Sequence, residues 1–171
     1  MVEELLDFSR IIDKRIKLNL TNINLAEFLN NIFKQMEPRA KRLGIGLELN
    51  ILEDADEKIK GDTNRLKQVF INILDNAFKF TNKEGTVAIY VIKKAEFIEI
   101  AIKDSGIGIP KEHLSKVTEK FYKVDTKDGG NGIGLSLANE LVQLHGGFLE
   151  IESEYGEGTT VIVKLPRIKD E

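Results

Sequence analysis

Residues 65–81, RLKQVFINILDNAFKFT, constrain the fold more than any other stretch of the chain. At about 100° per residue, Arg65, Gln68, Asn72, Asn76 and Lys79 fall on one narrow stripe of a helix. Leu66, Val69, Phe70, Ile73, Leu74, Ala77, Phe78 and Phe80 fill the rest of its circumference. Such a helix is buried on most sides and keeps a thin polar seam. A merely wet amphipathic face would leave the same stripe. Asparagine, however, is a poor mid-helix residue because its side chain competes for backbone hydrogen bonds. Two asparagines one turn apart point to a use: amide oxygens aimed at a cation, with a lysine one turn on for an anion.

With 171 residues and 42% hydrophobic content, the chain can bury one core of good size. A net charge of −3 gives no basic field, so no nucleic acid partner is expected. Cysteine is absent, which removes disulfides, thiolate zinc sites and thiol nucleophiles. Imidazole is offered only by His113 and His145. No apolar run reaches the roughly 18 residues of a spanning helix, and a cytoplasmic domain is expected.

In chain order, residues 2–15 carry a helical pattern that starts abruptly, and residues 16–20 read as a short strand. Asn24 is a plausible N-cap for a helix to about Leu43, which Gly44 and Gly46 close. Leu47, Leu49 and Ile51 alternate as a half-buried strand, and residues 58–60 suggest another short one. Asp62 or Thr63 should cap the central helix. Residues 87–91 and 97–102 form an expected antiparallel pair, and residues 135–144 a helix. Residues 148–153 and 159–165 close the chain as a second strand pair. Three main helices against a mixed, mostly antiparallel sheet make a two-layer α+β sandwich.

Ten of the fourteen glycines lie between Gly106 and Gly158. Asp104-Ser-Gly106-Ile107-Gly108-Ile109-Pro110 follows a strand. There, glycines admit a close ligand, and the strand-end carboxylate can accept from an amino group. Gly129-Gly130-Asn131-Gly132-Ile133-Gly134-Leu135 opens a helix, whose free N–H groups suit phosphate. A tight turn and a flexible loop are the bland alternatives. No GxxxxGK[ST] is present, and the glycine spacing and context differ from a dinucleotide fingerprint.

The order of these pieces, ending in Gly-Glu-Gly158-Thr159, closely resembles the catalytic ATP-binding domain of bacterial sensor histidine kinases. That domain shares its wider fold with gyrase, mismatch-repair and heat-shock-chaperone ATPases. INILDNAFKFT resembles the N box, DSGIGIP the first glycine box, EKFYKVD the F box, GNGIGL the second glycine box and GEGT the third. The resemblance covers residues 18–166 and implies a Bergerat-type ATP-binding fold over residues 16–168. Residues 1–15 would then be the tail of a dimerisation and phosphotransfer hairpin.

It further implies ATP and Mg²⁺ as cofactors. Asn76 would give its amide oxygen to the metal, with Asn72 beside the phosphates and the metal's waters. Lys79 would pair with a phosphate and Lys123 would reach the γ-phosphate. Asp104 would bind the exocyclic amine of adenine, with Gly106 and Gly108 making room. Ile107, Ile109 and Leu135 would add apolar contact. Phe121 and Tyr122 would anchor the lid, Gly130, Asn131, Ile133 and the glycines at 132 and 134 would wrap the phosphates, and Thr159 would sit near the adenine.

Departures accompany the match. Lys123 stands where the family usually has arginine, keeping the charge without the planar fork. Thr118 replaces a bulky apolar residue of the F box, and the lid is short. No phosphoacceptor histidine box is seen, and His113 and His145 read as surface and structural residues. The implied partners are a dimerisation and histidine-phosphotransfer domain and a response-regulator receiver domain. The parent is expected to be a homodimer and this chain a monomer, inactive alone for want of the acceptor. In the water-splitting relatives a glutamate stands at the position of Asn72, and asparagine cannot act as a general base. That favours transfer to histidine, whose imidazole is largely neutral at pH 7. Two alternatives stand: a nucleotide-binding regulatory module without kinase activity, and a related serine kinase or ATPase.

Overall fold

A computed structural model of the chain describes residues 2–12, 16–51, 57–124 and 132–168. Helix α1 (Val2–Ile12) precedes strand β1 (Thr21–Asn24) and helix α2 (Leu25–Leu43). Strands β2 (Gly46–Ile51) and β3 (Lys58–Gly61) lead into the central helix α3 (Thr63–Phe80). Then come β4 (Thr86–Lys93), β5 (Phe97–Asp104), a single turn α4 (Lys111–Leu114), α5 (Gly134–Leu144), β6 (Phe148–Glu154) and β7 (Gly158–Pro166).

The main sheet has the order β2-β4-β5-β7-β6, antiparallel throughout except for the parallel pair β2/β4. One face is lined by Ile89, Val91, Ile98, Ile100, Ile102, Val161, Val163 and Leu165, all buried. The helices cover this face, as the two-layer α+β sandwich requires.

Local signals account for most of the helix ends. The Asn24 side chain accepts from the Glu27 N–H at 3.0 Å, and α2 stops at Gly44, which adopts φ 68°. Asp62 caps α3 by accepting from the N–H groups of Asn64 and Arg65, both at 3.1 Å. Burial alone would push the Asp62 carboxyl up, but those amides, together with the N–H of Asn19 and the charge of Arg65, leave it below its ordinary value.

The first strand is a correction. Residues 16–20 have no regular structure, and the strand lies at Thr21–Asn24. Pairing decides this: β1 runs antiparallel to β3 with Ile23 opposite Ile59, and both are buried. The flanking threonine and asparagines hide that single inward residue from an alternation count. The turn α4 was not expected either. Residues 13–15, the end of the first expected helix, lie outside the described residues. Within α1, Phe8 and Ile11 are buried and Asp7 pairs with Arg65 at 2.7 Å, whereas Val2, Leu5 and Leu6 are exposed.

His145 ties the end of α5 to the start of α3. Its Nε2 accepts from the Asp62 N–H at 3.0 Å, and its Nδ1 donates to the Leu141 carbonyl at 2.7 Å. The neutral Nδ1–H tautomer satisfies both. His145→Ala is expected to cost about 1–3 kcal/mol, because an N–H at the α3 cap loses its acceptor. A urea titration reads this as a lower midpoint at unchanged slope.

Candidate functional site

Polar residues of α3 look across a cleft of about 580 Å³. Asn72, Asn76 and Lys79 line one wall, so three of the five residues of the expected stripe face the cleft, whereas Arg65 pairs with Asp7 and neither it nor Gln68 lines the cleft. The floor is apolar and comes from the sheet: Ile102, Ile151 and Val161. Asp104, Ile107, Gly108, Ile109 and Thr159 close one end. Tyr122, Lys123, Gly132, Gly134 and Leu135 complete the lining.

The amide groups differ in freedom. Asn72 Nδ2 donates to the Gly134 carbonyl at 3.4 Å, tying α3 to the start of α5 and leaving Oδ1 as an acceptor. The Asn76 side chain makes no hydrogen bond among the described residues. Lys79 is exposed, its Nζ 5.1 Å from the centre of the Phe80 ring, and no carboxylate of the described residues pairs with it. The first turn of α5 has no side-chain cap, and its Gly134 and Leu135 line the cleft.

Asp104 ends β5 and is only 7% exposed. Its Oδ1 accepts from the N–H groups of Gly106 at 2.8 Å and Thr159 at 3.2 Å. Among the described residues no donor reaches Oδ2. Burial pushes the carboxyl up, and the two amides pull only part of the way back.

Glycine is required at two places here by close approach. A Cβ on Gly108 (φ 70°) would stand 2.1 Å from the Glu154 carbonyl oxygen, and one on Gly158 (φ 124°) 2.1 Å from that of Asp104. The loop after β5 therefore packs directly on the β6–β7 turn. Their contact continues through Gly156 N–H to the Ile107 carbonyl at 2.7 Å.

Several expected residues sit elsewhere. Gly106 is buried against the Phe80 carbonyl, Ile133 is in the core, and neither lines the cleft. The Phe121 ring is 60% exposed and stands edge-on to Phe8 of α1, with centroids 6.1 Å apart. Gly130 and Asn131 lie outside the described residues. His113 hydrogen-bonds Tyr122 through Nδ1 and is half-buried. Sequence reasoning passed over Ser153, which faces inward with Leu149 and Ile151 on β6. A hydroxyl in an otherwise apolar period-2 series was the available signal.

The sequence profile described as "Histidine kinase-, DNA gyrase B-, and HSP90-like ATPase" matches residues 61–169. The chain belongs to that family. Among curated relatives of this ATPase family, the chain is 37% identical over 172 residues to the sensor histidine kinase WalK of Bacillus subtilis. It is 33% identical over 171 residues to the circadian input-output histidine kinase CikA of Synechococcus elongatus. Both alignments take in 97% of this chain but only 28% and 23% of those proteins, so the chain spans about a quarter of their length. Among solved structures, the catalytic domain of histidine kinase ThkA superposes with a TM-score of 0.78 at 25% identity, covering 87% of this chain and 98% of that one. Full-length ShkA in complex with AMPPNP gives 0.87 at 26% identity, covering 99% and 35%. The family's α+β catalytic-domain fold is therefore the fold of this chain. Among the described residues no helix is long and apolar enough to cross a membrane.

Proposed function

We propose that the cleft binds Mg·ATP and that the domain transfers the γ-phosphoryl group to a histidine on a separate dimerisation domain. From there the phosphoryl group would pass to an aspartate of a response regulator. The observation that carries this reading is the chemistry gathered in the cleft. A buried carboxylate with an unshared oxygen, the amides of Asn72 and Asn76, two lysines and the first turn of α5, which has no side-chain cap, all line one cleft.

Asp104 Oδ2 accepts from the exocyclic amine of adenine, and Ile107, Ile109 and Leu135 contact the base. Asn76 gives its amide oxygen to Mg²⁺, with Asn72 beside the phosphates. This metal keeps several waters and needs only one or two protein ligands beside the phosphates, which suits a wall of amides. Lys79, Lys123 and the glycine segment that holds Gly130, Asn131, Gly132 and Gly134 take the phosphates, with the N–H groups of α5. Tyr122 and Phe121 hold the edge of the lid, and Thr159 lies beside Asp104 at the base. When bound, the metal offsets phosphate charge in the transition state.

Asn72 carries no basic lone pair, so this wall does not activate water, and transfer to a neutral imidazole is favoured over hydrolysis. The parent protein is proposed to be a homodimer with this domain in the cytoplasm.

Asp104→Asn tests the base end. The substitution keeps the Oδ1 acceptor and loses the charge. ATP affinity should fall about 10- to 100-fold, the value of a hydrogen bond to a charged group, and GTP affinity much less. Equal losses for the two nucleotides by calorimetry would refute this placement. The unliganded variant should be no less stable than the parent. Because the folded protein raises this carboxyl, the stabilisation it contributes is present at low pH and lost as pH rises through the folded value. The variant's advantage should therefore grow from acid to neutral pH.

A further inference from the structure

Ser153 lies where the loop after β5 meets the β6–β7 hairpin, one layer behind the cleft. Three polar groups surround its Oγ at the same distance: the Ile109 N–H, the Gly158 carbonyl and the Thr159 hydroxyl, each 2.8 Å away. A serine hydroxyl has one hydrogen and two lone pairs. The Gly158 carbonyl can only accept, so it takes the serine hydrogen. The Ile109 N–H can only donate, so it occupies one lone pair. The remaining lone pair faces Thr159, whose hydroxyl must then be the donor.

The direction of the Thr159 hydroxyl is thereby set. Its hydrogen points back to Ser153, and only its lone pairs are left for the cleft that Thr159 lines. The Thr159 N–H is committed as well, to Asp104 Oδ1 at 3.2 Å. Asp104 Oδ2 and Thr159 Oγ1 therefore stand at this end of the cleft as two acceptors, with no side-chain donor between them. We infer that Ser153 is a positioning residue for base specificity: by fixing Thr159 as an acceptor, it makes the base end select a purine with an amino group at position 6 and reject one with a carbonyl there. This inference rests on the base end assigned above. It concerns a residue that does not itself line the cleft.

Without the serine hydroxyl, the Thr159 hydrogen is free to rotate towards the cleft and donate to a 6-carbonyl. The minimal ligand pair is ATP and inosine triphosphate, which differ in the 6-substituent and in the hydrogen that N1 carries when that substituent is a carbonyl. Their dissociation constants should be measured by calorimetry on the whole chain at mildly alkaline pH. Ser153→Ala should lower the ATP-over-inosine preference about tenfold, through weaker ATP binding together with tighter inosine triphosphate binding. Ser153→Thr, which keeps the hydroxyl, should restore it. Ser153→Cys keeps the shape with weak hydrogen bonding, introduces the only thiol of the chain, and should behave as alanine does. In a Thr159→Val background, adding Ser153→Ala should change the preference no further, because the group it orients is gone.

A merely structural serine would weaken both nucleotides by the same factor, and that result would overturn the inference. So would an unchanged ratio in folded Ser153→Ala and Ser153→Cys, or a tenfold fall that persists in the Thr159→Val background. Asp104→Asn separates the two levels of the argument. If it leaves the ratio untouched, the base does not sit at this end and both readings fail. If the ratio responds to Asp104→Asn and not to Ser153→Ala, the assignment to Ser153 alone is lost.

Discussion

Asn76→Ala should abolish phosphoryl transfer to an acceptor histidine supplied on a dimerisation hairpin, by a factor of at least about a thousand. Metal charge neutralisation in the transition state is worth several kcal/mol, and each 1.4 kcal/mol is tenfold in rate. The fold should survive, since Asn76 is only half-buried and its side chain makes no hydrogen bond among the described residues whose loss would be felt. A second readout needs no acceptor. Mg²⁺ should strengthen ATP binding to the parent chain and have little effect on the variant. Transfer at the parent rate, or an undiminished response to Mg²⁺, would remove Asn76 from the metal's neighbourhood. Asn76→Asp replaces a neutral oxygen by a charged one and should alter metal preference.

The largest effect on stability is expected in the core that carries this wall. Phe70 lies on α3, 1% exposed, and meets Phe28 of α2 edge-on with ring centroids 5.9 Å apart. Phe70→Ala removes a full aromatic side chain from a packed interior and leaves a cavity between two helices. The cost should be about 3–5 kcal/mol, with part of it from the aromatic pair. At about 2–4 °C per kcal/mol for a domain of this size, the melting temperature should drop by about 6–20 °C. Thermal unfolding followed by circular dichroism checks this. A loss below about 1 kcal/mol would mean that α2 and α3 are not packed as described. Phe70→Leu, which fills more of the cavity, should recover part of the loss.

The two variants probe different faces of one helix, and that division was legible in the residues themselves. Period 3.6 sorts residues 65–80 into a buried arc and a polar stripe before any partner is known. The caps at Asn24 and Asp62 and the stop at Gly44 were legible for a similar reason, since each depends on groups within about four residues. The glycines after Asp104 signalled room for a close ligand, and at Gly108 it is the Glu154 carbonyl that approaches.

Only the tertiary structure brought the stripe of α3, the end of β5 and the start of α5 to one cleft, because convergence depends on contacts between segments distant in the chain. Long-range pairing also placed β2 parallel beside β4, and moved the first strand to Thr21–Asn24 by setting Ile23 against Ile59. Phe121 turned out to meet Phe8, and His145 to bridge α5 to the cap of α3. Ser153 shows the limit most plainly. Its alternation on β6 marks an inward hydroxyl, but the direction of its hydrogen bonds depends on Ile109, Gly158 and Thr159. Those groups lie on both segments that meet there, and folding alone puts a carbonyl, an amide and a hydroxyl around one oxygen.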